Sequence, residues 1–302
     1  MYEPVTLMNE ALPELNLPSP AQPFRPDWAN ADSLQIWVKR DDLIHPVISG
    51  NKWRKLKYAL PSSCTGAILS FGGGYSNHLH ALGYACNKLG LPFIAVVRGH
   101  YQSQMTPTLK DLATWGARLH FVDRKQYALR DDPAFLQSLQ TQFPAATVIP
   151  EGGSQQAAIR GVSELLTEPG PDFDVVMAPV GSGATLAGLI TELKPHQSAI
   201  GVAALKGQGY LEELVSRLLP HRYPRWHIEH EFHNGGFAKA SPELIHFCTV
   251  FNSEQGFAIE PVYSGKLFHA AKSLIERGTF APGTRLLLLH TGGLQGARKS
   301  DL

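Results

Sequence analysis

Short apolar runs alternate with helix-length amphipathic stretches along most of this chain, and that alternation restricts it to few folds. The runs are 34–39, 67–70, 93–97, 119–122, 148–149, 175–178, 200–204 and 286–289. Near-continuous apolar runs of this length suit strands covered on both faces. Between them, 77–89, 109–115, 155–166, 185–193, 211–219, 242–254 and 266–277 read as helices. The pattern predicts an α/β architecture with largely parallel sheets covered by helices. The first thirty residues depart from it. Pro13, Pro18, Pro20, Pro23 and Pro26 predict an extended segment laid over a domain surface, since proline neither donates to a ladder nor continues a helix.

A length of 302 residues allows one large or two modest domains. With 43% hydrophobic and 18% charged residues and a net charge of +1, the chain has no basic footprint for nucleic acid, so a small molecule is the expected partner. No apolar stretch approaches a membrane span. The start, with Glu3, Glu10 and Glu14, lacks the basic and apolar regions of a signal peptide. Cys64, Cys86 and Cys248 have neither disulfide-framework nor metal-ligand spacing, and the histidines form no metal pair. A cytoplasmic protein without a metal is expected.

Three segments have the form in which α/β folds collect ligands: a strand, a glycine-rich turn and a helix start with unpaired N–H groups. In 68–78, Gly72, Gly73 and Gly74 lead into Ser76 and Asn77, which suits a carboxylate. Alone, the segment is equally a tight turn with an ordinary cap. In 175–185, Gly181 and Gly183 flank Ser182, with Ala184 and Thr185 following, a cup sized for one phosphate. It lacks the Walker lysine and the dinucleotide glycine spacing, so a monophosphate ester fits best. In 286–293, a buried strand ends at His290 and Thr291, whose hydroxyl could meet a ring nitrogen.

Lys52 supplies the reactive group. Neighbouring cations and partial desolvation lower a lysine pKa, and Arg54 and Lys55 stand beside it, Lys55 on the same helical face. A basic run of this kind is also the ordinary form of a solvated helix face. Gly50 permits an unusual turn before it, and Asn51 can hydrogen-bond locally.

Together these segments resemble the tryptophan synthase β-like, fold-type-II pyridoxal-phosphate enzymes, and within them the 1-aminocyclopropane-1-carboxylate deaminase and D-cysteine desulfhydrase family. The resemblance runs from 38–42 (VKRDD) to 290–293 (HTGG), and is most specific at 49–56 (SGNKWRKL), 76–78 (SNH) and 260–266 (EPVYSGK). It implies a pyridoxal 5′-phosphate cofactor joined as a Schiff base to Lys52. Gly181, Ser182, Gly183, Ala184, Thr185 and Lys55 would hold the phosphate and Asn77 the 3′ oxygen. Ser76, Asn77 and His78 would take the substrate carboxylate. Tyr263 would work beside the substrate as acid, base or nucleophile, although the sequence allows a plain buried aromatic there. The resemblance also implies a homodimer and two domains: a large one of residues 1–55 and 157–302, and a small one of residues 56–156 carrying the carboxylate loop.

Departures from the deaminase pattern narrow the expectation. Ser264 stands where cyclopropane-opening deaminases carry a glutamate for the pyridine nitrogen, and a hydroxyl makes a weaker electron sink. Phe237 stands where they carry a second tyrosine. His78 and Thr291 resemble the desulfhydrase branch, leaving Thr291 or Ser264 to face the pyridine nitrogen. Gly74 and Tyr75 replace the usual Ile and Gln, and the segment after Gly293 is short. The reading is a lyase, or a hydrolase-class deaminase, acting on a small amino acid such as D-cysteine by α-proton removal and β-elimination to a keto acid and ammonia. The alternatives are an aminocyclopropane carboxylate deaminase, a racemase or β-replacement enzyme, and a non-catalytic binder of pyridoxal phosphate or an amino acid. Retention of proton-transfer groups speaks against the last.

Overall fold

The computed structural model describes residues 12, 14–60 and 66–298; Glu3, Glu10, Pro13 and Cys64 lie outside them. Two sheets organise the chain. The larger takes β1 (Ala21–Pro23), β2 (Gln35–Lys39), β7 (Val175–Val180), β8 (Ser198–Ala203), β9 (Trp226–Glu229) and β10 (Arg285–Leu289), in the order β1-β2-β10-β7-β8-β9. Only β1 is antiparallel. The smaller takes β3 (Ile68–Gly73), β4 (Phe93–Arg98), β5 (Arg118–Val122) and β6 (Thr147–Ile149), all parallel, in the order β5-β4-β3-β6.

The helices are α1 (Asn51–Leu56), α2 (Asn77–Lys88), α3 (Pro107–Thr114), α4 (Arg124–Ala128), α5 (Pro133–Gln142), α6 (Gln156–Thr167), α7 (Ala184–Thr191), α8 (Tyr210–Leu218), α9 (Pro242–Glu254) and α10 (Ser264–Glu276). Every expected strand and helix is present within a few residues. The proline-rich start is extended as expected, but it also supplies β1, an edge strand, where Pro23 is tolerated. The expectation overlooked β9, α4 and α5: β9 and α4 are short and interrupted by charged residues, and α5 breaks its apolar pattern with glutamine, serine and threonine. Helix α10 begins at Ser264, two residues before the periodic pattern, because the Glu260 carboxylate accepts from the N–H groups of Tyr263 (2.8 Å) and Ser264 (2.9 Å).

Buried apolar side chains form separate clusters on the faces of the two sheets. The short helix α1 lies where they meet. Its Trp53 and Leu56 join the cluster of the smaller sheet with Ile68 and Leu79. Its opposite side is pressed onto α6, so that a methyl group on Gly161 would stand 1.9 Å from the Arg54 carbonyl.

Candidate active site

Six residues are too few for a helix to persist alone, so α1 is held by its surroundings. Gly50 enters it at φ +64°, and a Cβ there would stand 1.7 Å from the Thr291 carbonyl, which leaves glycine as the residue that fits. The Asp41 carbonyl accepts from Gly50 N–H at 2.8 Å. Below the helix, the buried Arg54 guanidinium forks onto Asp41 at 2.6 and 2.8 Å and onto Glu168 at 2.9 and 3.1 Å. Arg54 is thus spent on a structural pair. The expectation that it helps lower the Lys52 pKa is corrected: burial lowers that pKa to about 8, and the Glu260 carboxylate opposes the shift.

Lys52 is half-buried, and its Nζ donates to Asn51 Oδ1 at 2.8 Å. The other side of the Asn51 amide donates to Thr185 Oγ1 at 2.9 Å, tying the lysine helix to the glycine loop after β7. Lys55 reaches the same loop, 3.3 Å from Ser182 Oγ and 3.3 Å from the Gly152 carbonyl. It is 3% exposed and has no carboxylate partner among the described residues. Burial, then Lys52, push its pKa well down. A buried cation without a counter-ion, facing a Gly-Ser-Gly loop and the first turn of α7, fits a phosphate group.

The carboxylate-type loop lies at the carboxyl end of β3. Ser76 caps α2 by accepting from Leu79 N–H at 3.2 Å, and the first-turn N–H groups of α2 point out of the helix end. Gly74 has a local reason: a Cβ there would stand 2.6 Å from the Tyr101 ring, leaving no room for the larger residue of relatives. His78 does not serve as expected. Ser70 Oγ donates to the Ile149 carbonyl at 2.7 Å, so its bond to His78 Nε2 at 2.8 Å requires the proton on Nε2. Nδ1 is then a buried, bare acceptor, beside Gly153 and Lys55. Burial, Lys52 and Lys55 hold the pKa well below the usual value, so the ring stays neutral. Its side chain offers a carboxylate no donor.

Tyr263 stands over the 181–185 loop, its ring 3.2 Å from where a Cβ on Gly181 would be. Burial, then the carboxylates of Glu260 and Glu151, raise its pKa, so the phenol keeps its proton. Phe237 is exposed and edge-on to Tyr263, with ring centroids 6.1 Å apart. Ser264 is fully buried and faces Glu260, accepting from its N–H at 2.9 Å and lying 3.3 Å from Oε1. The expectation of Ser264 at the cofactor is corrected accordingly. The Thr291 hydroxyl, by contrast, has no partner among the described residues.

Glu260 is the residue that the sequence left unassigned. It is 2% exposed, accepts three backbone N–H bonds from Val262, Tyr263 and Ser264, and burial still pushes its pKa up to about 7. An acidic residue opening a helix turn is too common a pattern to have marked it. No group of acidic, histidine or cysteine side chains among the described residues could hold a metal.

Comparison with known proteins agrees with this geometry. Residues 25–292 match the family described as pyridoxal-phosphate dependent enzyme. A putative 1-aminocyclopropane-1-carboxylate deaminase of Pyrococcus horikoshii is 27% identical over 290 residues, covering 90% of this chain and 89% of that one. The bifunctional D-cysteine desulfhydrase/1-aminocyclopropane-1-carboxylate deaminase, mitochondrial, of Arabidopsis thaliana is 28% identical, covering 88% and 74%. A crystal structure of an ACC deaminase homologue superposes with a TM-score of 0.78 at 26% identity, covering 98% of this chain and 97% of that one. The chain therefore belongs to the pyridoxal-phosphate dependent enzymes, in the group that contains 1-aminocyclopropane-1-carboxylate deaminase and D-cysteine desulfhydrase.

Proposed function

We propose that this enzyme removes the α-proton of a small β-substituted D-amino acid, D-cysteine being the reference substrate, expels the β substituent, and releases an aminoacrylate that one water hydrolyses to a keto acid and ammonia. Pyridoxal phosphate, when bound, supplies the electron sink for the substrate Cα. The observation that carries the reading is the joining of Lys52 to the phosphate loop through Asn51 and Thr185, with Lys55 on Ser182.

In this reading Gly181–Thr185 and Lys55 hold the phosphate, Asn77 the 3′ oxygen, and the unpartnered Thr291 hydroxyl faces the pyridine nitrogen. Ser76 and the α2 first-turn N–H groups take the substrate carboxylate. Lys52 takes the α-proton on Nζ, which a pKa near 8 suits at neutral pH. Tyr263 hands its phenolic proton to the leaving group, so it works as an acid. Two observations favour elimination over cyclopropane opening: Ser264 turns away to Glu260, and Phe237 brings no hydroxyl to Tyr263. Residues 56–156 act as a small domain that closes over the substrate and excludes water. Homodimerisation and cytoplasmic location rest on the resemblance and on composition. No helix among the described residues is long and apolar enough to cross a membrane.

The test is release of keto acid and sulfide across D-cysteine, L-cysteine, β-chloro-D-alanine, D-serine and 1-aminocyclopropane-1-carboxylate. Turnover of D-cysteine or β-chloro-D-alanine well above the others is expected. Ring opening at a comparable rate would overturn the ordering.

A further inference from the structure

The last described turn of the chain, Leu294–Ala297, follows directly from Thr291 and the larger sheet, yet it hydrogen-bonds to helices α2 and α3 beside the smaller one. Gln295 stands at its centre. Its Nε2 donates to Asn77 Oδ1, and its Oε1 accepts from Thr108 Oγ1 at 3.2 Å and from Arg298 Nη2 at 3.3 Å. Arg298 is held in turn by Asp111, at 2.5 Å, which also meets His80 Nε2 at 2.9 Å.

The direction of this chain of bonds is set at one end. A guanidinium only donates, so the group that Gln295 turns toward Arg298 must be its carbonyl oxygen. The Gln295 amide nitrogen then faces Asn77, and Asn77 must answer with its own oxygen. That leaves Asn77 Nδ2, 3.1 Å from where a Cβ on Gly293 would stand, without an acceptor among the described residues. An isolated asparagine amide can turn over and present either face; this one is committed.

We propose that Gln295 is a positioning residue, oriented by Arg298, that fixes the Asn77 amide with its N–H donor toward the 3′ oxygen of the cofactor. The inference rests on the reading that Asn77 meets that oxygen. A donor there favours the form of the bound cofactor with a negative 3′ oxygen, which absorbs at longer wavelength, over the neutral form. Loss of packing alone would not shift this balance. The 294–298 turn thus couples the small-sheet helices to the cofactor ring.

The test uses the holoenzyme and the ratio of its long- to short-wavelength cofactor bands, with melting of the cofactor-free protein as a control for folding. Gln295→Glu cannot donate and should turn the Asn77 amide over, lowering the ratio about fivefold, the size expected for one lost hydrogen bond. Gln295→Met, which keeps the volume, should lower it in the same direction and serves if the glutamate variant does not fold. Arg298→Lys, which keeps a donor, should stay near wild type, and Arg298→Met should not. In an Asn77→Ala background, Gln295→Met should change nothing further. An unchanged ratio in both Gln295 variants, while Asn77→Ala shifts it, overturns the positioning role. An unchanged ratio in Asn77→Ala itself overturns the contact between Asn77 and the cofactor on which that role rests.

Discussion

The two glycine loops that open α2 and α7 look alike in sequence and are built differently. The 72–76 loop is finished mostly by its own surroundings: Ser76 caps its own helix and Tyr101 fills the space above Gly74, while from far away Gln295 meets only Asn77 at the helix start. The 181–185 loop has no side-chain cap at Gly183 and is completed from far away, by Asn51 on Thr185 and Lys55 on Ser182. A loop finished near its own sheet needs no partner from the lysine helix. A loop completed by the lysine helix is held in fixed register with Lys52, which is what the proposed roles of the two require. The buried Arg54 pair with Asp41 and Glu168 anchors that register from below.

Breaking the second loop should have the largest effects. Lys52→Ala should abolish the visible cofactor band and lower turnover by roughly a thousandfold or more, read by absorbance and by keto-acid release. Lys55→Met should leave Lys52 in place but weaken cofactor affinity by about 10- to 100-fold, the size expected for losing a bond between charged groups, measured by equilibrium titration. The first loop should respond more mildly. Ser76→Ala should lower stability by about 1 kcal/mol through loss of the cap, with KM raised more than cofactor affinity is lowered. Equal losses in cofactor affinity from Ser76→Ala and Lys55→Met would erase the distinction between the loops.

Two smaller effects concern Glu260, which holds the turn that carries Tyr263. Its folded pKa of about 7 lies above the unfolded value near 4.5, so the folded state holds more protons between them. Its contribution to stability is therefore full below about pH 4.5 and is lost as pH rises through about 7. Glu260→Gln should flatten the pH dependence of the melting temperature across that window. Ser264→Glu, which by sequence alone should not create cyclopropane opening because Phe237 lacks a hydroxyl, faces a second obstacle. The new carboxylate would be buried against Glu260, and the variant should melt lower than wild type at neutral pH.

Much of the architecture was legible in the sequence because parallel strands covered on both faces leave continuous apolar runs, and 93–97 and 286–289 show this plainly. Strand β9 was not legible, since its four residues carry too little pattern of their own, while α4 was passed over although Asp123 and Gln126 form a capping box at its start. Among the candidate site residues, Lys52, Lys55 and the Gly181 loop stood out by residue type. Glu260 did not, because only burial separates it from an ordinary helix cap. His78 misled for a related reason: the sequence shows an imidazole, but Ser70 and the Ile149 carbonyl decide which nitrogen carries the proton.

By itself the sequence determined the α/β class, the order of the glycine loops and the pyridoxal-phosphate family, because these depend on side-chain period and on residue chemistry. Only the tertiary structure decided which polar groups remain unspent. Arg54 and Ser264 are consumed by Asp41, Glu168 and Glu260, while among the described residues Lys55 has no carboxylate partner and the Thr291 hydroxyl no hydrogen bond. Hydrogen-bond capacity is finite, and whether a group is left over for a ligand depends on which partners the fold brings to it, from four residues away for Ser264 to 114 for Arg54 and Glu168.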